Sequence, residues 1–138
     1  MNSFPLISLD DGWTVEYFEK EPDLYEFAAS GIPVPSLRAF TCSGRVDEGW
    51  NAWLTRTFDV PPILDVCLRF DLHLTSAPGP VVLVINGRRV GVVDGSRPFT
   101  CDVTDMITLE DNEIALGVDC AAGGRFGDVY LKAEPCGT

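Results

Sequence analysis

The chain has little histidine, the side chain that acid–base and metal sites use most often. It holds one histidine and five cysteines in 138 residues. The cysteines (Cys42, Cys67, Cys101, Cys120 and Cys136) stand far apart with no C-x-x-C pair, so no metal site of the zinc type is read. Basic residues are scarce: ten Lys plus Arg against 21 Asp plus Glu, a net charge of −11. Such a surface repels phosphate backbones and anionic lipid, so neither nucleic acid nor a membrane surface is expected as a partner. No apolar run approaches the ~20 residues of a membrane span. The start, MNSFPLISLDDGW, has no basic opening and no long apolar stretch, so no signal peptide is read. A cytoplasmic location with reduced thiols is the expectation. Heptads, internal repeats and low-complexity tracts are also missing.

What is present reads as short strands. The 138 residues are expected to form one domain, residues 1–138, large enough for a real core. Val81–Ile85 is a run of β-branched and aliphatic residues, and Asn86-Gly87 follows. Asn-Gly tolerates positive φ at both central positions of a tight turn, so it signals a hairpin. A second strand over residues 88–94 and a third over residues 99–103 follow, which reads as a β-meander. Residues 13–20 form a strand with Trp13, Val15 and Tyr17 on one face. Residues 23–29 suit a helical turn, and Gly31-Ile32-Pro33-Val34-Pro35 an extended or looping path. Over residues 51–60, Ala52, Leu54, Arg56, Phe58 and Val60 alternate with Trp53, Thr55, Thr57 and Asp59.

Residues 66–74 alternate most clearly, with Val66, Leu68, Phe70, Leu72 and Leu74 facing the core and Cys67, Arg69, Asp71 and His73 facing water. Asn112–Asp119 turns Ile114, Leu116 and Val118 inward, and residues 129–133 supply a last strand. Seven to nine short strands parted by turns indicate an all-β, antiparallel β-sandwich or barrel.

Few residues suggest chemistry. The adjacent carboxylates at Asp10-Asp11, Asp47-Glu48 and Glu110-Asp111 are read as solvated turn residues, because Asp favours turns. A structural calcium on Asp10 or Asp11 is the one cofactor considered, and nothing else in the sequence supports it. His73 shares a strand face with Asp71 and Arg69, yet no G-x-S-x-G or comparable nucleophile context accompanies it, so a surface cluster is read and no catalytic residue is assigned. Gly87, Gly91 and Gly95 lack the spacing and the helix of a phosphate loop. Two roles are open for Trp50 and Trp53. Their indoles suit the apolar C–H faces of a sugar, with Asn51 and Arg56 beside them for hydroxyls; core or interface packing is the favoured role, since large aromatics dominate buried area. Asn86, Arg88 and Asp94, around the hairpin, are a second group of candidate ligand contacts.

The succession of motifs carries more than any single residue. LDDGW (residues 9–13), VPSLRAF (34–40), GWNAWLTRTFDVP (49–61), LRFDL (68–72), VLVINGRRVG (82–91), PFTCDVTDMI (98–107), NEIALGV (112–118) and GDVYL (127–131) together resemble the N-terminal sugar-binding domain of glycoside hydrolase family 2. That family includes β-galactosidases, β-glucuronidases and β-mannosidases. The resemblance covers nearly the whole chain and implies a jelly-roll sandwich of the galactose-binding-domain-like type. It also implies that the catalytic carboxylates belong to a TIM barrel this chain does not contain. In some members, loops of the jelly roll reach the active site, but here the loop CAAGGRFG (residues 120–127) is short and lacks their acidic, tryptophan-rich insert. The resemblance thus points to a non-catalytic carbohydrate-binding or carbohydrate-binding-like module. The other expectation is a structural or docking subunit that holds a separate catalytic protein.

Overall fold

The structure, a computed structural model, describes residues 6–18, 31–41, 50–60, 67–119 and 125–135, with the backbone alone at residues 50 and 51. Ten strands lie among them: β1 (Leu6–Ser8), β2 (Trp13–Tyr17), β3 (Ile32–Val34), β4 (Trp50–Phe58), β5 (Leu68–Leu74), β6 (Val81–Ile85), β7 (Arg88–Val93), β8 (Phe99–Asp102), β9 (Asn112–Asp119) and β10 (Val129–Pro135). All their pairings are antiparallel. They form a four-stranded sheet, β1-β10-β5-β8, and a six-stranded sheet, β3-β2-β4-β9-β6-β7. The fold is therefore the all-β sandwich that the alternating sequence predicts. Among the described residues no helix is long and apolar enough to cross a membrane.

The inward faces follow the period of two. Leu54 and Phe58 of β4, Leu72 and Leu74 of β5, Ile114, Leu116 and Val118 of β9 and Leu131 of β10 meet in one buried cluster between the sheets. Trp13 closes the cluster beside Leu9, and its indole N–H donates to the Leu9 carbonyl. Burial of this apolar area is the dominant favourable contribution to the fold.

A patch of the outward face of the six-stranded sheet is also dry. Trp53, Val82, Val84 and Ala115 form a second buried cluster. Trp53 stands opposite Gly117 on β9, and a Cβ on that glycine would meet the indole Cζ2 at 2.6 Å. The large ring lies where only a hydrogen occupies the neighbouring strand. Of the two roles open to Trp53, the structure adopts packing, since a wholly buried indole offers no face to a ligand.

The hairpin forms as read. Asn86 and Gly87 both take positive φ, +50° and +77°, between β6 and β7. The β-meander does not: β8 leaves the hairpin sheet and pairs with β5 in the other one. The crossing is made at Gly95. Its carbonyl accepts the Ala77 N–H at 3.1 Å, and a Cβ there would meet the Gly79 carbonyl oxygen at 2.3 Å. Local strand spacing cannot distinguish a third meander strand from a strand that changes sheet.

Three further expectations need correction or placing. Asp71, read as facing water, is buried, and Arg69 on the same face reaches it at 3.2 Å. Cys67, read as a reduced thiol, is disulfide-bonded, whereas Cys101 is free. Cysteine pairing follows the fold, which sequence spacing does not expose. The expected helical turn at residues 23–29 lies outside the described residues, as do Val66, Lys20 and the loop at residues 120–124.

Candidate functional site

The sandwich leaves a cleft of about 440 Å³ where β1, the start of β10 and the turn after β3 meet. Leu6, Ser8, Asp10, Arg38, Asp128 and Tyr130 line it. Its volume is within the range of small-molecule sites. Each wall has a local cause. Leu9 donates its N–H to the Val129 carbonyl, which ties the chain leaving β1 to β10. The chain then turns at Asp10-Asp11-Gly12, with Gly12 at φ +78°. The Asp10 carbonyl accepts the Leu37 N–H at 2.6 Å, and the Asp10 carboxylate accepts the Ser36 hydroxyl at 3.0 Å and the Arg38 N–H at 3.3 Å. Asp10 thereby fixes the short 3-10 turn Leu37–Ala39. That turn carries Arg38 to the cleft, where its guanidinium pairs with Asp128.

Tyr130 forms the aromatic wall. Sheet register sets Ser8, Tyr130, His73 and Thr100 side by side across β1, β10, β5 and β8. The Tyr130 and His73 rings stack with centroids 4.7 Å apart and planes 4° apart. His73 is anchored in turn by Thr100, whose Oγ1 lies 3.2 Å from Nδ1. The His73 Nε2 is buried and meets no hydrogen-bond partner among the described residues. A catalytic relay through His73 would need a carboxylate on one ring nitrogen, and the nearby Asp71 carboxylate pairs with Arg69 instead.

The residues singled out from sequence are dispersed. Trp50 pairs with Asp119 at one end of β4, while Phe58 pairs with Asn112 at the other, eight residues or roughly 27 Å away. The side chains of Trp50 and Asn51 lie outside the described residues. Asn86 and Arg88 sit at the Asn112 end. Asp94 follows Val93, which pairs with Val81 at the opposite end, so the hairpin group is itself split by roughly 20 Å of strand.

Most of these side chains are engaged within the protein. The Asn86 amide donates to the Met106 carbonyl at 2.8 Å and to Asn112 Oδ1 at 3.1 Å, and accepts the Glu113 N–H at 2.7 Å. Asp94 accepts the Ser96 N–H at 3.0 Å and its hydroxyl at 2.8 Å. These bonds, the backbone one first, hold the Asp94 carboxyl below the usual aspartate range. Arg88 is exposed. Arg56 donates to the Asp11 carbonyl and, at 3.0 Å, to the Thr57 carbonyl, and pairs with the Asp11 carboxylate at 3.3 Å. Through Asp11 it braces the turn whose other carboxylate, Asp10, lines the cleft. The two aspartates considered for calcium are thus each occupied by protein donors. Among the described residues no group of three His, Cys, Asp or Glu side chains is placed to hold a metal ion.

The cleft itself was not legible as a site. Its walls come from residues 6–10, 38 and 128–130, and no local spacing unites them. The available signal was the aromatic Tyr130 on the polar face of the last strand, within GDVYL.

No family model matches the sequence, and no curated protein does. Solved structures do match the fold. A β-glucuronidase from Bacteroides uniformis superposes with a TM-score of 0.71 at 21% identity, over 95% of this chain and 18% of that one. A Bifidobacterium dentium β-glucuronidase, solved with coumarin-3-O-glucuronide, gives 0.70 at 20% identity, over 86% of this chain and 21% of that one. A β-glycosidase from Bacteroides vulgatus gives 0.67 at 18% identity, over 94% and 20%. At these identities the match establishes a fold shared with part of each of these glycosidases. The chain spans about a fifth of the length of these enzymes.

Proposed function

We propose that this chain is a non-catalytic carbohydrate-binding module related to the N-terminal domain of family 2 glycoside hydrolases. The observation that carries the reading is the fold match over most of this chain and a fifth of much longer glycosidases. The cleft adds chemistry suited to a sugar: an aromatic wall at Tyr130 beside a carboxylate, a guanidinium and a hydroxyl. Glycosidase chemistry needs two carboxyl groups facing one glycosidic bond at roughly 5 to 9 Å. On this reading that pair belongs to a barrel outside the chain. Calorimetric titration with methyl galactosides, mannosides and glucuronides tests the reading. Saturable heat with at least one is expected, and no heat with any of them refutes carbohydrate binding.

One observation favours docking to a catalytic protein as a second reading. A groove of about 570 Å³ runs along the edge strand β3, lined by Tyr17, Ile32, Pro33, Val34, Pro35 and Phe40. Ile32 is 60% exposed there, a large aliphatic side chain with its surface still in water. On this reading a family 2 catalytic barrel supplied in trans binds the chain, and Ile32→Asp abolishes the complex in sedimentation. Equal complex formation by wild type and variant removes the groove from consideration.

A further inference from the structure

We propose that the cleft is a subsite for an uncharged pyranose, stacked on the free face of Tyr130, and that it selects against uronates. The proposal rests on the carbohydrate-binding reading and names its site and its specificity. A flat ring offers two faces, and His73 covers one of the two on Tyr130 at 4.7 Å. Register places Ser8 of β1 on the side of Tyr130 away from His73. Adjacent strands stand about 4.8 Å apart, so a large residue at position 8 would cover that face. Serine is too short to do so, and the cleft is the space that results.

The wall is also held before any ligand arrives. Tyr130 is fixed between the pairing of β10 and the His73 ring, which Thr100 pins from beyond. Stacking a sugar on a ring already packed on its other face costs less conformational entropy than ordering a free one, which is how preorganised sites gain affinity. The polar rim is equally set. Asp10 is held by Ser36 and the Arg38 N–H, and the Arg38–Asp128 pair leaves each side chain about half exposed, 57% and 50%. Such a pair presents carboxylate acceptors and guanidinium donors together, the two functions that neighbouring sugar hydroxyls satisfy.

Charge then selects the sugar. Two carboxylates, Asp10 and Asp128, face the cleft against one guanidinium, Arg38, and that cation is already matched. A uronate would bring a third carboxylate. To use Arg38 it must displace Asp128 while approaching Asp10, and like charges at this range repel. A neutral hexopyranoside meets no such cost. The acidic balance of the whole chain, −11, acts in the same direction at long range.

The test is titration of the wild-type chain and three variants with four probes: the methyl β-D-glycopyranosides of galactose, glucose and mannose, and methyl β-D-glucuronide. At least one neutral glycoside is expected to bind wild type, and the glucuronide about tenfold more weakly than the glucoside, a gap that narrows with salt. Tyr130→Phe keeps the stacking face and is expected to bind more tightly than Tyr130→Ala. Tyr130→Ala loses that face and is expected to weaken binding about tenfold or more. Ser8→Phe, at an exposed position, fills the cleft and is expected to abolish binding with the melting temperature retained. Unchanged affinity in folded Tyr130→Ala and Ser8→Phe overturns the site while carbohydrate binding stands. Preference for the glucuronide overturns the selectivity. Silence with all four probes overturns the carbohydrate reading and the site with it.

Discussion

Replacing Asn86 separates the two reasons an asparagine stands in this hairpin. Its amide makes three hydrogen bonds that tie the β6–β7 turn to Met106, Asn112 and the start of β9. Asn112, at their centre, is fully buried and also exchanges bonds of 2.7 Å with the Thr108 N–H and carbonyl. The backbone of Asn86 sits at φ +50°, where glycine is at ease and alanine is strained. Asn86→Gly therefore removes the three bonds without backbone strain. At about 0.5–1 kcal/mol for each partly solvated bond, the loss is about 2 kcal/mol. Asn86→Ala adds about 1 kcal/mol for the left-handed conformation, about 3 kcal/mol in all. These are large fractions of a total stability of about 5–15 kcal/mol.

Urea unfolding followed by tryptophan fluorescence under non-reducing conditions measures both variants. With m near ~2 kcal/mol/M, the midpoint should fall by about 1 M for the glycine variant and about 1.5 M for alanine. A glycine variant within about 0.5 kcal/mol of wild type would refute the bracing role. An alanine variant more stable than glycine would refute the backbone argument. Sugar titration of the same glycine variant decides the ligand reading of Asn86. Since its amide is spent inside the protein, sugar affinity of the folded glycine variant should match wild type.

The other expectations are narrower. Gly117→Ala drives a methyl into the buried Trp53 indole and should cost about 1–3 kcal/mol, seen as a lower melting temperature. An unchanged melting temperature would mean the ring can move aside. Asp94 binds its proton less readily folded than unfolded, so stability it contributes is present above the ordinary aspartate value and is lost as pH falls through the depressed one. Ser96→Ala removes the hydroxyl but leaves the backbone donor, so an NMR titration should find the Asp94 value raised part-way toward normal. No change would mean the hydroxyl does not face the carboxylate in solution. Cys67→Ser should lower stability by about 2–4 kcal/mol in non-reducing urea, the usual contribution of a disulfide. Equal stability would mean that the thiol is free.

What could be read in the sequence divides along a physical line. Strands with one dry face were legible because period-two alternation encodes burial directly. Asn112–Asp119 has the bounds expected, and Ile114, Leu116 and Val118 point inward as read. Asn86-Gly87 was legible because its turn depends on the φ preferences of two adjacent residues. Relations between distant residues were not. The transfer of β8 to the other sheet depends on the packing of Gly95 against Ala77 and Gly79. The burial of Trp53 depends on Gly117, more than sixty residues away. The cleft depends on register: Ser8 is a spacer and Tyr130 a platform only because β1 pairs with β10 as it does. The candidates chosen from sequence were polar or aromatic neighbours in the chain, and the fold spends most of those described on its own turns.

Amide chemical-shift mapping during titration with methyl β-D-glucopyranoside locates any bound sugar residue by residue. The largest saturable shifts are expected at Ser8, Asp10, Arg38, Asp128 and Tyr130, with His73 following through its stacked ring. Shifts centred instead on residues 50–53 or on the β6–β7 turn, or no saturable shift anywhere, would contradict the assignment of the cleft.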